Sequence, residues 1–362
     1  MPPRDIGKVR GEELFKSGTT TSISVSASES KMVVSVPISA HPGTGKLIKA
    51  DGIAAKFRAD IEQATATVAA RTRRPCLLGI LATSSAPSRA YAQSTKTTCE
   101  SIGIKFILKQ VGGALDDGID GEGVEEAIVE GNEDPNVDGI MDHYIQQVVS
   151  PVKDVEGLRD ELYHNLYHNV RFIRLQVLLS ATTTEHPIEL VPAAEAPEGY
   201  VKPIIPCTPL AIVKILEAVG VYNSILDYGD RAYGRTITII NRSEVVGRPL
   251  AAMLANDGAR VLSVDIGNIQ EYTKRPVSKT SDVENSKRYN PRHVVHPCSL
   301  SLEQCLAISD VVVSAVPNAS YKVPTKWLKD GCVCINVASE KNFQSNVREK
   351  VGNTSLYAQD VG

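Results

Sequence analysis

The densest group of chemically capable residues is Asn241-Arg-Ser-Glu-Val-Val-Gly247-Arg-Pro249, between an apolar run ending at Ile240 and a helix-forming stretch. Arg242 and Ser243 place a cation and a hydroxyl at the carboxyl end of a buried strand. Gly247 lets the backbone approach closely, and Pro249 presets a helix start whose free amides attract phosphate. Asp265 ends the next apolar run, 18 residues after Gly247. A carboxylate there accepts hydrogen bonds from a ribose diol and repels a 2′-phosphate. The turn is not Gly-x-Gly-x-x-Gly, yet it meets the same physical demands, and the carboxylate favours NAD over NADP. The plain alternatives are a strand-end turn residue for Asp265 and a solvated loop cation for Arg242.

Other groups carry less. His164 and His168 stand at i, i+4 with Asp160 one turn earlier, but no fourth ligand marks a metal site, and none is expected. His293, His296 and Cys298 lie in or beside a polar loop. Cys332 and Cys334 share one side of a buried strand by period 2, which points to core packing. Cys207 also reads as packed.

The elements around these residues alternate. A helix over Ala50 to Arg71 precedes the buried strand Cys76 to Leu81, a helix from Ser88 to Ser101, a strand from Lys105 to Val111, a helix from Val124 to Glu130 and a strand from Asp138. A second run has strands at Arg235–Ile240, Arg260–Val264, Asp310–Ala315 and Cys332–Val337, with a helix at Gly247–Asn256. The expected fold class is therefore α/β in two lobes: an N-terminal βαβ lobe and a Rossmann-like lobe, both with parallel sheets. The expected boundaries are an extension over 1–45, a first lobe over 46–207 with an insert near 174–201, and a second lobe over 208–350 with a tail at 351–362. A helix at Thr208–Val219 bridges the lobes, and the loop from Tyr272 to His296 reads as long and charged.

Composition narrows the classes. The 362 residues carry 39 Lys+Arg against 42 Asp+Glu and only 5% aromatics, which disfavours a nucleic-acid partner. No apolar run is long enough to span a membrane. The seven cysteines are too scattered for a secreted disulfide scaffold, which suggests a cytoplasmic protein.

The run Asn241 to Gly258, preceded by Pro206-Cys-Thr-Pro-Leu210, resembles the methylenetetrahydrofolate dehydrogenases, most closely their monofunctional NAD-dependent branch. The resemblance covers roughly Lys46 to Lys350. It implies oxidation of 5,10-methylenetetrahydrofolate to the 5,10-methenyl form with NAD, and a homodimer. It also implies that Tyr91 stacks on the folate. Where bifunctional dehydrogenase/cyclohydrolases carry a lysine four residues after that tyrosine, this chain has Thr95, with Lys96 one step on. One residue along a helix turns a side chain by about 100°, so Lys96 does not simply replace it. Glu156, in Asp154-Val-Glu-Gly157, matches the pterin-binding carboxylate. Pro206 and Cys207 match the segment joining the folate cleft to the second lobe. Arg242, Ser243 and Asp265 match the dinucleotide contacts, and Val316-Pro317 the loop beside the nicotinamide ribose. The alternatives are an incomplete nucleotide-binding relative without turnover and a residual cyclohydrolase using Lys96.

Three departures stand out. Met141 runs straight into Asp142-His-Tyr-Ile-Gln-Gln147, where the family pattern carries a folate-contacting loop. The stretch Arg174 to Val201 is unfamiliar. The family pattern also ends in a long apolar helix that the segment Tyr357 to Gly362 does not provide. The expected consequence is a cleft lacking one wall.

Overall fold

The computed structural model describes residues 45–115, 117–142, 144–174, 195–274 and 290–349, and the backbone of 356–359. The expected extension, the interior of the insert and most of the charged loop lie outside the described residues.

The chain enters through strand β1 (Lys46–Lys49) and helix α1 (Ala50–Arg71). Strand β2 (Cys76–Leu81), helix α2 (Ala86–Ser101), strand β3 (Lys105–Gln110), helix α3 (Val124–Glu133) and strand β4 (Gly139–Met141) form the first lobe. Its sheet is parallel, in the order β3-β2-β4. Leu78, Ile80, Val124, Ile128 and Ile140 close its core, as a strand buried on both faces requires. Helix α4 (Asp160–Tyr167) comes next, then the short antiparallel pair β5 (Ile173–Arg174) and β6 (Tyr200–Val201). That pair holds the two ends of the insert.

Helix α5 (Cys207–Ala218) leads into strand β7 (Thr236–Ile240), helix α6 (Gly247–Asn256) and strand β8 (Arg260–Asp265). Strands β9 (Asn268–Thr273) and β10 (Val294–Pro297), helix α7 (Leu302–Ile308), and strands β11 (Val311–Ser314), β12 (Val333–Asn336) and β13 (Leu356–Gln359) complete the chain. The larger sheet has the order β1-β13-β12-β11-β7-β8-β9-β10, antiparallel only at β8-β9-β10. Its strands alternate between two cores. Ile237, Ile239, Val311, Val313 and Ile335 pack with Ile212 and Leu216 of α5 and Leu250 and Leu254 of α6. Ile240, Val312, Cys332 and Cys334 pack with Leu306 of α7 on the other face. Both cysteines are thus core, as their spacing predicts.

The structure corrects several boundaries. Lys46–Lys49, assigned from sequence to the first lobe, is a strand of the larger sheet. Residues 356–359, read as a tail, lie between β12 and β1 in that sheet. Strands β9 and β10 and helix α7 are additions to the elements expected from sequence. A four-residue strand with lysine at both ends carries no usable periodicity, and β13 is defined only by partners distant in sequence.

One local device fixes the segment that precedes α4. The Lys153 ammonium donates to the carbonyls of Gly131, Asn132 and Asp134 at 2.9, 2.9 and 2.8 Å, closing the carboxyl end of α3. The neighbouring Asp154, 3% exposed, accepts four backbone N–H groups. Oδ1 takes those of Glu156 and Gly157 at 3.0 and 2.9 Å, and Oδ2 those of Leu158 and Arg159 at 3.0 and 3.1 Å. Asp154→Ala strips four buried donors of their acceptor at once. It should cost about 2–4 kcal/mol of stability, read from the urea midpoint at constant m-value. An unchanged midpoint contradicts this account of the turn.

Candidate active site

The Asp154 turn presents Glu156. Its side chain is 6% exposed, and Oε2 accepts the backbone N–H of Asp142 at 3.1 Å. Burial, reinforced by the charges of Asp154 and Asp142, pushes its carboxyl up to about 7. Among the described residues no cation contributes to this shift. The next residue, Gly157, has φ of 71°, and a Cβ there would lie 2.8 Å from the Ile205 carbonyl carbon and 2.9 Å from the Pro206 nitrogen. Only glycine permits that approach, which lays Glu156 against the Pro206–Cys207 segment.

Tyr91 and Thr95, one turn apart on α2, are joined by a side-chain hydrogen bond. Burial, then the Cys207 thiol and the Glu156 carboxylate, push the Tyr91 phenol up to about 12. The ring is nonetheless 41% exposed, so it offers a face to a ligand. The Cys207 thiol is exposed on one side, against the packed role expected. Desolvation and then Glu156 raise its pKa, so it is no ready nucleophile. Tyr91, Thr95, Glu156, Pro206 and Cys207 therefore lie in one cluster.

The second cluster lies at the carboxyl ends of β7, β8 and β11, where α6 leaves β7 on one side and β11 adjoins it on the other. This is the switch point at which doubly wound sheets open a crevice. Asn241 has φ of 87°, and its side chain donates to the Ala315 carbonyl at 2.7 Å. Gly247 is forced: a Cβ would stand 1.9 Å from the Asn241 carbonyl oxygen. Ser243 Oγ accepts the N–H of Val246 at 3.3 Å and that of Gly247 at 3.4 Å, capping the start of α6. Arg242 is not a loose cation. Its guanidinium donates to Ser263 Oγ at 2.9 Å, the Ser263 carbonyl at 2.5 Å and Asn268 Oδ1 at 2.7 Å. Asp265 is exposed at the end of β8, beside this turn, with Oδ1 accepting the Ile266 N–H at 2.8 Å. The glycine-tight turn, the α6 amino terminus and the adjacent exposed carboxylate fit a dinucleotide lacking a 2′-phosphate. Val316-Pro317 is fixed from across the sheet. The fully buried Asn342 accepts the Val316 N–H at 3.0 Å and donates to its carbonyl at 2.9 Å.

Helix α4 joins the two clusters. Burial, followed by Tyr167, Glu244, Asp154 and Cys207, raises the Tyr163 phenol, so this ring senses both the Asp154 turn and the nucleotide turn. Tyr163 stacks on Tyr167 at 5.9 Å, and the Arg248 guanidinium lies 5.5 Å from the Tyr167 centroid. Asn256 donates to the Leu166 carbonyl at 3.0 Å, and Arg171 pairs with Asp257 at 2.8 Å.

Sequence reasoning missed Asp154, Tyr163 and Asn342. Asp154 stands inside the quoted motif and its two-residue offset from Glu156 is a turn signal, whereas Asn342 acts across the sheet and leaves no local trace. His164 and His168 stack at 3.9 Å, and among the described residues no cluster of three potential ligands could hold a metal ion. His293 is held by Asn256 and stacked on Tyr272 at 5.4 Å. Where the family pattern carries the loop this chain lacks, Asp142 Oδ2 accepts the N–H groups of Tyr144 and Ile145 at 3.1 and 2.8 Å, closing a tight turn.

The pattern of the tetrahydrofolate dehydrogenase/cyclohydrolase catalytic domain matches residues 48–156, and that of the family's NAD(P)-binding domain matches residues 206–283. A Schizosaccharomyces pombe protein, methylenetetrahydrofolate dehydrogenase (NAD+), is 42% identical over 328 residues, covering 88% of each chain. The Saccharomyces cerevisiae protein of the same name is 42% identical over 80% of this chain and 81% of its own. The solved NAD-dependent 5,10-methylenetetrahydrofolate dehydrogenase of S. cerevisiae superposes with a TM-score of 0.71 at 39% identity, over 87% of this chain and 91% of that one.

Glu156 titrates higher in the folded chain than in the unfolded one, so it contributes stability that is present below about pH 4.5 and lost as pH rises through about 7. Glu156→Gln removes that loss. The variant should be more stable than the parent at pH 8, by up to roughly 3 kcal/mol, and indistinguishable from it at pH 4.5 in denaturant melts. An equal difference at both pH values contradicts the assignment.

Proposed function

The chain belongs to the tetrahydrofolate dehydrogenase/cyclohydrolase family, and on that footing we propose that it oxidises 5,10-methylenetetrahydrofolate to 5,10-methenyltetrahydrofolate with NAD as hydride acceptor. The observation that carries this reading is the buried Glu156 carboxylate, with no cation beside it among the described residues, next to an exposed Tyr91 face and connected through α4 to the dinucleotide turn.

The C–H bonding pair of the methylene carbon leaves as hydride, and a nitrogen lone pair fills the resulting gap as a C=N bond. The folate gains one positive charge as the oxidised nicotinamide loses one. NAD supplies the electron-pair sink; the protein supplies position and field. Tyr91 stacks on the folate ring system, and Glu156 accepts its N–H donors. The anionic group of Glu156, Asp142 and Asp154 favours charge developing on the folate. No proton is removed from the reacting carbon, so orientation rather than a general base supplies the acceleration. Hydrolysis of the methenyl product needs an activated water. Thr95, engaged by Tyr91, is a poor instrument for that step.

Asp265 is read as the carboxylate that rejects a 2′-phosphate. Its exposure at the end of β8 and the NAD-dependent relatives support this. The family resemblance supports a homodimer, and the small number and scatter of the cysteines support a cytoplasmic location. Purified protein should reduce NAD in a methylenetetrahydrofolate-dependent manner, with NADP much poorer. Asp265→Ser should narrow the NAD/NADP ratio of kcat/KM by tenfold or more, about 1.4 kcal/mol. Saturable NAD binding without NADH formation overturns the dehydrogenase reading, and an unchanged ratio overturns the role of Asp265.

A further inference from the structure

We propose that Cys298 and Cys305 are a peroxide-sensitive thiol pair: a hydroperoxide oxidises Cys298, and Cys305 resolves the product as a reversible disulfide tying the end of β10 to α7.

The fold brings the two sulfurs together from different elements. Pro297 stands opposite Gln270 in the antiparallel pair β9–β10, and the next N–H, that of Cys298, donates to the Ile269 carbonyl at 3.0 Å. Residues directly opposite in such a pair share a face of the sheet, so Cys298 lies on the face of Ile269. Helix α7 covers that face, because Ile269, Leu302 and Leu306 pack in one core. Cys305, between those two leucines on α7, is fully buried, whereas Cys298 is half-buried. A side-chain hydrogen bond joins the two thiols. The surroundings hold them there. Ser301 Oγ accepts the Gln304 N–H at 3.3 Å and Gln304 Oε1 the Ser301 N–H at 2.9 Å, which fixes the first turn of α7. The Cys305 carbonyl accepts the Ser309 hydroxyl at 2.7 Å. The Arg260 guanidinium, gripped by Glu271 at 3.0 and 2.8 Å, lies within electrostatic reach of both sulfurs.

Exposure sets the order of attack. Cys76, Cys99, Cys332 and Cys334 are buried, so a solvent-borne oxidant meets none of them first. Burial, then the neighbouring Cys298, pushes the Cys305 thiol up to about 12, so it keeps its proton and waits as the second thiol. The Cys298 sulfur attacks one oxygen of the hydroperoxide and the O–O bond breaks. The other oxygen leaves as an alcohol or water with the thiol proton, and Cys298 becomes a sulfenic acid. The Cys305 sulfur then attacks the Cys298 sulfur. The S–S bond forms as the S–OH bond breaks, and hydroxide departs with the Cys305 proton as water. Two thiols lose two electrons in all, and one O–O bond gains them. An added dithiol reverses the step.

The sequence makes the product easy to read. No Lys or Arg lies between Arg292 and Lys322, so trypsin leaves both cysteines on one peptide, and Glu303 lets a Glu-specific protease divide it between them. The full native chain is treated with dilute hydrogen peroxide, free thiols are then alkylated, and the digest is weighed without reductant. The parent peptide should be two hydrogens lighter than its dithiol form, unalkylated, and still joined after cleavage at Glu303. Dithiothreitol should restore two alkylatable thiols. In Cys305→Ser the sulfenic acid should persist at Cys298 and take a dimedone label that the parent loses; Cys305→Ala serves if the first variant does not fold. Parent protein in which Cys298 is labelled or over-oxidised while Cys305 stays alkylatable overturns the proposal. So does a Cys298 that keeps its thiol while Cys207 is consumed, or a disulfide from Cys298 to any other cysteine.

Discussion

The structure turns on a carboxylate held out of water, with no counter-cation beside it among the described residues. Glu156 is buried because Asp154 binds its amide and those of the three residues after it, and because Gly157 is pressed against Pro206. Neither contact is optional. The first decides where the side chain points, and the second decides that the strand-end turn of one lobe meets the helix entering the other. Anionic neighbours then make the site a place where positive charge is welcome, which suits a reaction that creates a cation on its substrate.

The lobes divide the labour accordingly. The small sheet carries the folate-side groups at the carboxyl ends of its strands, and the large sheet carries the nucleotide turn at its own. Helix α4 ties one to the other through tyrosines and through the anchoring of its carboxyl end to Asn256. A residue such as Ser243, which looks like a ligand contact by position, also caps α6. Arg242, which looks like a phosphate contact, braces β8 and β9. In both cases the side chain shapes the turn from which backbone amides point outward.

Much of this was legible in the chain. The helix Ala50–Arg71 and the strand Cys76–Leu81 have the bounds that periodicity gives them, because each is long enough for its pattern to repeat. The nucleotide turn was legible because steric need leaves a glycine and a proline in fixed places. Strands β1 and β13 were not, since four residues pairing across most of the chain length carry their information in the partner. The hairpin β9–β10 was hidden by the charged residues between its arms. At the site, Tyr91 and Glu156 came from resemblance alone.

Direct passage of hydride between the two lobes is the core of the account, and isotopic labelling examines it most plainly. Methylenetetrahydrofolate carrying two deuterons on its one-carbon unit, turned over with unlabelled NAD, should place one deuteron on nicotinamide C4 of every NADH formed, with a primary isotope effect and none lost to water. Label appearing in solvent, or NADH formed without it, contradicts a site that works by holding the two carbons face to face.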